Sequence, residues 1–158
     1  SLCDGKEVSY KGETYQFDPI YSVPGSVQKP HPPILIGGIA NPALRRVIRY
    51  GDGWLAVALD AIRMKERLST LKQLCESTGR VFDDLDLVYK IFINPGEAKK
   101  GPFGEREIGS GSEQQIIDDL KSILDAGFSS IIVRYRGDSA KAQQLQMERF
   151  AEKIIPRL

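Results

Sequence analysis

The chain is poor in the side chains that bind zinc or form disulfides. Its 158 residues include two cysteines, Cys3 and Cys75, and a single histidine, His31. The cysteines are far apart, and neither has a second cysteine or a histidine at the spacing of a metal ligand. The sequence therefore predicts reduced thiols, no metal site and no catalytic pair of cysteine and histidine.

An excess of charge of one sign and long apolar runs are also lacking. The 22 Lys and Arg residues balance 21 Asp and Glu, which leaves a formal net charge of +1. Such a balance gives no net positive electrostatic potential that would attract a nucleic acid backbone or an anionic bilayer. Apolar runs such as residues 33–36 and 55–59 are far shorter than the roughly 20 residues that cross a membrane, and the amino terminus has no signal pattern. We expect a cytoplasmic protein with neither a nucleic acid nor a membrane as its partner.

Residues 1–33 differ in pattern from the rest of the chain. Aromatic and β-branched residues alternate on both sides of Gly12 between Glu7 and Asp18, which is typical of a β-hairpin. The segment that follows, residues 19–33, is rich in proline, glycine and serine and cannot be helical. We predict that residues 1–33 form a hairpin and a connector, and that residues 34–158 form the main domain.

The main domain repeats the order strand, then helix, four times. Apolar runs at residues 34–36, 53–59, 85–93 and 130–135 predict strands, each followed by a segment of helical period. Asn41 is the predicted cap of the first helix, and Ser112 with Gln115 forms a predicted capping box for the third. The residues expected to face the core from the last three helices are Met64, Leu68, Leu71, Cys75, Ile116, Leu120, Ile123, Leu124, Leu145, Phe150, Ala151 and Ile154.

Continuously apolar strands favour a parallel sheet that is buried on both faces. Two architectures satisfy the pattern: a four-stranded open sheet, or half of an eight-stranded barrel. In either, functional residues lie at the carboxyl ends of the strands, which here are residues 37–41, 59–60, 94–111 and 134–139.

The first of these loops carries the clearest signal. Gly37 and Gly38 leave the backbone free of Cβ atoms where a strand meets a helix, and the amino end of that helix offers unpaired N–H groups and partial positive charge. Such a turn can hold a phosphate. The alternative is that the glycines only permit a tight turn while Asn41 caps the helix, and spacing alone favours this alternative, because the segment has neither a Walker lysine nor a complete GxGxxG motif.

The other loops carry weaker candidates. Asp60, Asn94 and Arg134 stand at strand ends where they can face a substrate. Arg134 and Arg136 can meet an anionic group, or can be solvated or paired with Asp138. Residues 94–111 form either a lid or a disordered connector. Trp54, at the start of a strand, is assigned to the structural core.

Three short segments together resemble the luciferase-like monooxygenase family of flavin- and deazaflavin-dependent oxidoreductases. They are residues 32–38 (Pro-Pro-Ile-Leu-Ile-Gly-Gly), 43–46 (Ala-Leu-Arg-Arg) and 50–54 (Tyr-Gly-Asp-Gly-Trp), and Asp-Ala-Gly at 125–127 fits the last repeat. The resemblance covers nearly the whole chain but only the second half of the family's barrel. It implies an α/β fold that is half of a (β/α)8 TIM-type barrel, with four parallel strand–helix units after a short β-hairpin.

The resemblance also implies a site and an activity. Gly37, Gly38, Ile39, Ala40 and Asn41 match the turn that holds the phosphate of flavin mononucleotide (FMN) or of the deazaflavin coenzyme F-420. The implied function is an oxidoreductase or monooxygenase that acts on a small molecule. Most of the family's catalytic groups belong to the other half, so no catalytic residue is assigned, and we expect this chain to be inactive without that half.

The resemblance leaves two questions of partnership open. A half-barrel has two unpaired edges, so we expect pairing either with a second copy or with a missing amino-terminal half. The alternative function is a non-catalytic half-barrel that acts as an interaction or assembly module.

Overall fold

The computed structural model describes residues 2–57, 59–101, 104–135 and 139–158. The chain divides into two compact units, Ser1–Ile34 and Leu35–Leu158. Within the described ranges, no helix combines the length and the apolar character that crossing a membrane requires.

The first unit is a small antiparallel hairpin, as predicted. Strand β1 (Val8–Lys11) pairs with β2 (Gln16–Ile20), and the Gly12 N–H donates to the Tyr15 carbonyl at 2.9 Å to close the turn. The rings of Tyr10 and Phe17 stack across the two strands with their centroids 6.0 Å apart. This cross-strand pair explains why the alternating aromatic residues form a hairpin.

The second unit alternates strands and helices along the chain. Its elements are β3 (Leu35–Gly37), α1 (Asn41–Tyr50), β4 (Gly53–Val57), α2 (Ala61–Thr78), β5 (Asp86–Pro95), β6 (Ser110–Gly111), α3 (Glu113–Asp125), β7 (Ser130–Tyr135) and α4 (Ala140–Lys153). One-turn 3-10 helices lie at Leu2–Asp4, Phe82–Asp84 and Ile155–Arg157.

The four main strands lie in the order β3-β4-β5-β7, and every neighbouring pair is parallel. The two-residue strand β6 pairs with the carboxyl end of β5. Each main strand lies beside the next main strand along the chain, which is the arrangement of a barrel arc. The predicted half-barrel is therefore confirmed. Among the described residues, β3 and β7 each pair with a single neighbouring strand.

One face of the sheet forms the core together with the helices. Buried residues of the sheet, such as Trp54, Tyr89 and Ile91, pack in one cluster with residues of the helices. The main helix residues in that cluster are Leu44, Val47, Met64, Leu71, Cys75, Ile116, Leu120, Ile123 and Phe150.

The other face of the sheet is only partly covered. Side chains alternate between the two faces along a strand, so Leu55, Lys90 and Phe92 face away from the helices, and all three are only half-buried. Ile132 of β7 is 44% exposed. The prediction that both faces are buried is wrong for this face, because four strands do not enclose the interior of a barrel.

Three predicted core residues also lie at the surface. Leu124 and Leu145 are 41% and 66% exposed, and Ala151 is exposed. Leu124 follows Ile123, which is fully buried, and the next residue of a helix points about 100° away. Helix α4 reaches the core near its carboxyl end through Phe150, so its earlier Leu145 lies outside the contact.

Candidate functional site

The turn between β3 and α1 is exposed along residues 37–41. Gly38 has φ +112°, and a Cβ atom there would come within 2.9 Å of the Ala43 Cβ. A Cβ atom on Gly37 would meet nothing within 4 Å. Position 38 therefore requires glycine for its conformation, while the backbone at Gly37 borders open space that a ligand can enter.

Helix α1 begins without a side-chain cap. Its N-cap residue is Ala40, and the predicted cap Asn41 is instead the first helical residue. The prediction was wrong because a residue already in helical conformation is not in the extended conformation from which a cap accepts bonds. The Asn41 Oδ1 accepts a hydrogen bond from the guanidinium of Arg67 on α2 at 3.0 Å.

The amide groups at this helix end are available to a ligand. Ala43 and Leu44 donate their N–H groups to the Ala40 carbonyl at 2.8 and 3.2 Å. In the described part of the chain, the N–H groups of residues 39–41 donate to no protein acceptor, and the first turn of α1 has no acidic residue. Unpaired amides, the positive end of the helix dipole and the nearby Arg67 together fit an anionic group such as a phosphate.

A buried side chain fixes the turn from behind. The indole Nε1–H of Trp54, on β4, donates to the Gly38 carbonyl oxygen at 2.8 Å. Trp54 is fully buried, and its ring lies 5.9 Å from that of Phe128. Trp54 is therefore a core residue, as the sequence predicted. Its hydrogen bond to Gly38 was not predicted, because the two residues are 16 positions apart in the chain.

The three weaker candidates have separate places in the structure. Asp60 caps α2, accepting from the Arg63 N–H at 2.8 Å and pairing with the Arg63 guanidinium. Asn94 lies in β5 and pairs with Ser110 of β6. Arg134 lies in β7 with its guanidinium over the ring of Phe92. Arg136 and Asp138 lie outside the described residues.

A cavity of about 110 Å³ lies at the carboxyl ends of β4 and β5. Its lining includes Asp60, Lys90, Phe92 and residues 105–108 of the long segment after β5. The neighbouring Tyr89 hydroxyl donates to the Leu59 carbonyl at 2.7 Å and accepts from the Leu59 N–H at 3.0 Å. Burial raises the pKa of Tyr89 to about 12, so this hydroxyl stays protonated and acts as a structural bridge.

The long segment that closes this cavity is anchored to α3. The carboxylate of Asp119, which is 9% exposed, accepts from the Gly109 N–H at 2.8 Å and from Arg106 at 2.9 Å. Arg106 also donates to the Ser110 carbonyl at 2.5 Å. The described parts of residues 94–111 are therefore folded against the domain. Neither this region nor any other described part of the chain has a group of three or more His, Cys, Asp or Glu side chains that could hold a metal ion.

Lys90 and Phe92 line this cavity, and the sequence did not predict them as candidate residues. Lys90 is the one charged residue in the apolar run 87–93. A charge inside a central strand must face solvent or a cavity, because its burial without a partner is costly. The charged Lys90 within an apolar run was therefore visible in the sequence. The contact between Arg67 and Asn41 was not, because no local pattern connects residues 26 positions apart.

Comparison with known proteins supplies a family. A family model described as luciferase-like monooxygenase matches residues 1–100. Uncharacterized proteins of Mycobacterium tuberculosis and Mycobacterium bovis are 27% identical to the chain over 160 residues, covering 93% of this chain and 48% of the relative. The chain thus spans about half the length of the curated relatives that it matches.

Solved structures show the same fold. An F420-dependent secondary alcohol dehydrogenase in complex with an F420-acetone adduct matches with a TM-score of 0.71 and 13% identity, over 96% of this chain and 56% of its own. The coenzyme F420-dependent tetrahydromethanopterin reductase of Methanopyrus kandleri matches with a TM-score of 0.73 and 12% identity, over 98% of this chain and 59% of its own. The monooxygenase RslO1 of Streptomyces bottropensis matches with a TM-score of 0.64 and 16% identity, over 98% and 57%.

Proposed function

Because the chain belongs to the luciferase-like monooxygenase family, we propose that it is the carboxyl half of a flavin- or F-420-dependent oxidoreductase and that residues 37–41 bind the cofactor phosphate. The observation that carries this proposal is the set of unpaired N–H groups at residues 39–41, beside the open space at Gly37. The F420-dependent enzymes among the similar structures support F-420, and a further one, the oxygenating constituent of 3,6-diketocamphane monooxygenase in complex with FMN (TM-score 0.57, 10% identity), supports FMN. When bound, the ring of such a cofactor supplies hydride transfer or oxygen activation.

This chain contributes binding and orientation in the proposed enzyme. The amides of residues 39–41 donate to the phosphate oxygens, and the dipole of α1 favours their negative charge. Gly37 lets the phosphate approach the backbone closely, since no side chain stands in front of it. Trp54 holds the Gly38 carbonyl and thereby the path of the turn.

The partner in this proposal is an amino-terminal half rather than a second copy. Strands β3 and β7 each have one neighbour among the described residues, so both edges are open to pairing. The chain spans about half of its relatives, which leaves the length of one half-barrel for the partner. A second copy would bring another Lys90 and Arg134 into a shared interior, and like charges in a closed space repel.

A titration with cofactor tests the proposal. FMN and F-420 are each added to the chain, alone and co-expressed with the amino-terminal half of a relative, while the ring fluorescence is followed. We expect one cofactor to bind with low-micromolar or tighter affinity in the paired preparation and much more weakly to the chain alone, because half of a pocket leaves most of the ring exposed to water. Riboflavin, which has the ring of FMN without its phosphate, is the matched control.

Two results would count against the enzyme. If the two halves form a stable complex that binds neither cofactor, the chain is a non-catalytic assembly module. If FMN and riboflavin bind equally well, the phosphate does not contribute and the role of residues 37–41 is wrong.

A further inference from the structure

Lys90, Phe92 and Arg134 form a cluster on the sheet face opposite the helices. The Nζ of Lys90 lies 5.9 Å from the centroid of the Phe92 ring, and the Cζ of Arg134 lies 5.4 Å from it. Phe92 and Arg134 are register partners on β5 and β7, and Lys90 precedes Phe92 by two residues, so all three side chains share a face. The ring therefore holds two cations near each other.

The two cations have no acidic partner in the described part of the chain. Arg63, Arg106 and Arg149 each form an ion pair with a carboxylate, whereas Lys90 and Arg134 form none there. Lys90 is half-buried and Arg134 is exposed. Two positive charges that face the interior of a barrel without an ion-pair partner among the described residues leave an unbalanced charge, which an anionic ligand can neutralise.

The cluster lies where a substrate would bind and not where the cofactor phosphate is proposed to bind. Phe92 and Arg134 lie near the carboxyl ends of their strands, the end of a barrel at which ligands bind. Lys90 and Phe92 also line the cavity between β5 and residues 105–108, together with the acidic residues Asp60, Glu105 and Glu107. Of these, Asp60 and Glu105 form ion pairs with Arg63. Strands β5 and β7, which carry the cluster, are two and three strand spacings from β3, about 10 and 14 Å along the sheet, so the cluster is separate from the turn at residues 37–41.

We propose that Lys90 and Arg134 bind the anionic group of the substrate, a carboxylate or a phosphate, and that the Phe92 ring packs against its organic part. This inference rests on the proposed function, because it names the substrate class of that enzyme. Contact with the ring fixes the two charged groups before the ligand arrives, which lowers the entropy cost of binding. A planar guanidinium suits both carboxylate and phosphate oxygens.

The test uses small probes of matched shape. Benzoate, phenyl phosphate and the neutral benzamide are titrated by calorimetry into the 158-residue chain, alone and with the amino-terminal half. We expect both anions to bind more tightly than benzamide, and the tighter of the two identifies the anionic group. Lys90→Met and Arg134→Met should each weaken anion binding about tenfold or more, since each removes a charge-assisted contact.

Matched variants separate charge from folding. Lys90→Arg and Arg134→Lys keep the charges and should retain anion binding within about threefold, and Lys72→Met, an exposed cation on α2, should bind like the wild type. Equal affinity for benzoate and benzamide would overturn the proposal, as would anion affinity that survives both methionine substitutions, or the absence of anion binding in both preparations. Cofactor binding is measured separately, so its failure alongside intact anion binding would refute only the proposed enzyme.

Discussion

The indole N–H of Trp54 and the carbonyl oxygen of Gly38 are joined by a hydrogen bond of 2.8 Å. Trp54 is fully buried, whereas Gly38 lies in an exposed turn. A rigid residue of the core thus fixes the backbone of the turn that precedes the unpaired amides of residues 39–41.

The first prediction concerns this hydrogen bond. Trp54→Phe keeps an aromatic ring but removes the donor, so the turn loses its anchor. We expect the affinity for FMN to fall about tenfold, because one net hydrogen bond holds the turn. The affinity for riboflavin should stay nearly constant, as measured by flavin fluorescence with the amino-terminal half present. An equal loss for both flavins would show that Trp54 acts through general stability and not through the turn.

The second prediction compares two adjacent glycines. Gly38→Ala places a Cβ atom at φ +112° and 2.9 Å from the Ala43 Cβ, so the free energy of unfolding should fall by about 1–3 kcal/mol in urea titrations. In Gly37→Ala the added Cβ atom would lie in open space, so the free energy of unfolding should change by less than about 1 kcal/mol. Equal destabilisation by the two variants would contradict the conformation assigned to the turn.

The third prediction concerns the anchor of the segment after β5. Asp119→Ala removes the acceptor of both Arg106 and the Gly109 N–H, and we expect a loss of about 2–3 kcal/mol in the free energy of unfolding. Hydrogen exchange of the Gly109 amide should accelerate. The adjacent Asp118→Ala is the control, because Asp118 is exposed and accepts only from Gln114 among the bonds seen there. Similar exchange rates in the two variants would argue against the anchor.

The fourth prediction follows from the raised pKa of Tyr89, about 12 against an ordinary value near 10. Between these values the unfolded tyrosine loses its proton while the folded one keeps it. The folded state therefore binds more protons, and the free energy of unfolding falls as pH rises through this window. The full effect is about 3 kcal/mol, fully present below pH 10 and lost by pH 12.

Tyr89→Phe isolates this contribution. The variant lacks the titrating hydroxyl, so its free energy of unfolding should decline less steeply than that of the wild type above pH 10. Urea titrations of both proteins at several alkaline pH values provide the comparison. Parallel pH profiles would mean that the hydroxyl is not buried as described.

Local signals in the sequence determined much of the architecture. The capping box of Ser112 and Gln115 is present in full, with 3.2 Å from the Gln115 N–H to the Ser112 hydroxyl. The strand Ser130–Tyr135 has its predicted bounds, and the segment of helical period after the second strand is the helix Ala61–Thr78. These features depend on residues a few positions apart, which is why short-range patterns were sufficient.

Features that depend on distant residues were not predictable in the same way. The hydrogen bond from Arg67 to Asn41 joins residues 26 positions apart in the chain. The sequence alone predicted Asn41 as the N-cap of α1, whereas the N-cap is Ala40. The exposure of Leu145 depends on where α4 contacts the core, which helical period does not specify. The shared face of Lys90 and Arg134 follows from the register of β5 and β7, and no pattern within either strand gives it.

The proposed binding of the cofactor phosphate by the backbone amides of residues 39–41 can be observed directly. Its most direct test is the amide spectrum of the ¹⁵N-labelled chain, paired with the amino-terminal half and titrated with FMN and with riboflavin. We expect large, saturable shifts of the Ile39, Ala40 and Asn41 amides with FMN and only small shifts with riboflavin. Saturation with FMN that leaves these three amides unmoved would contradict it.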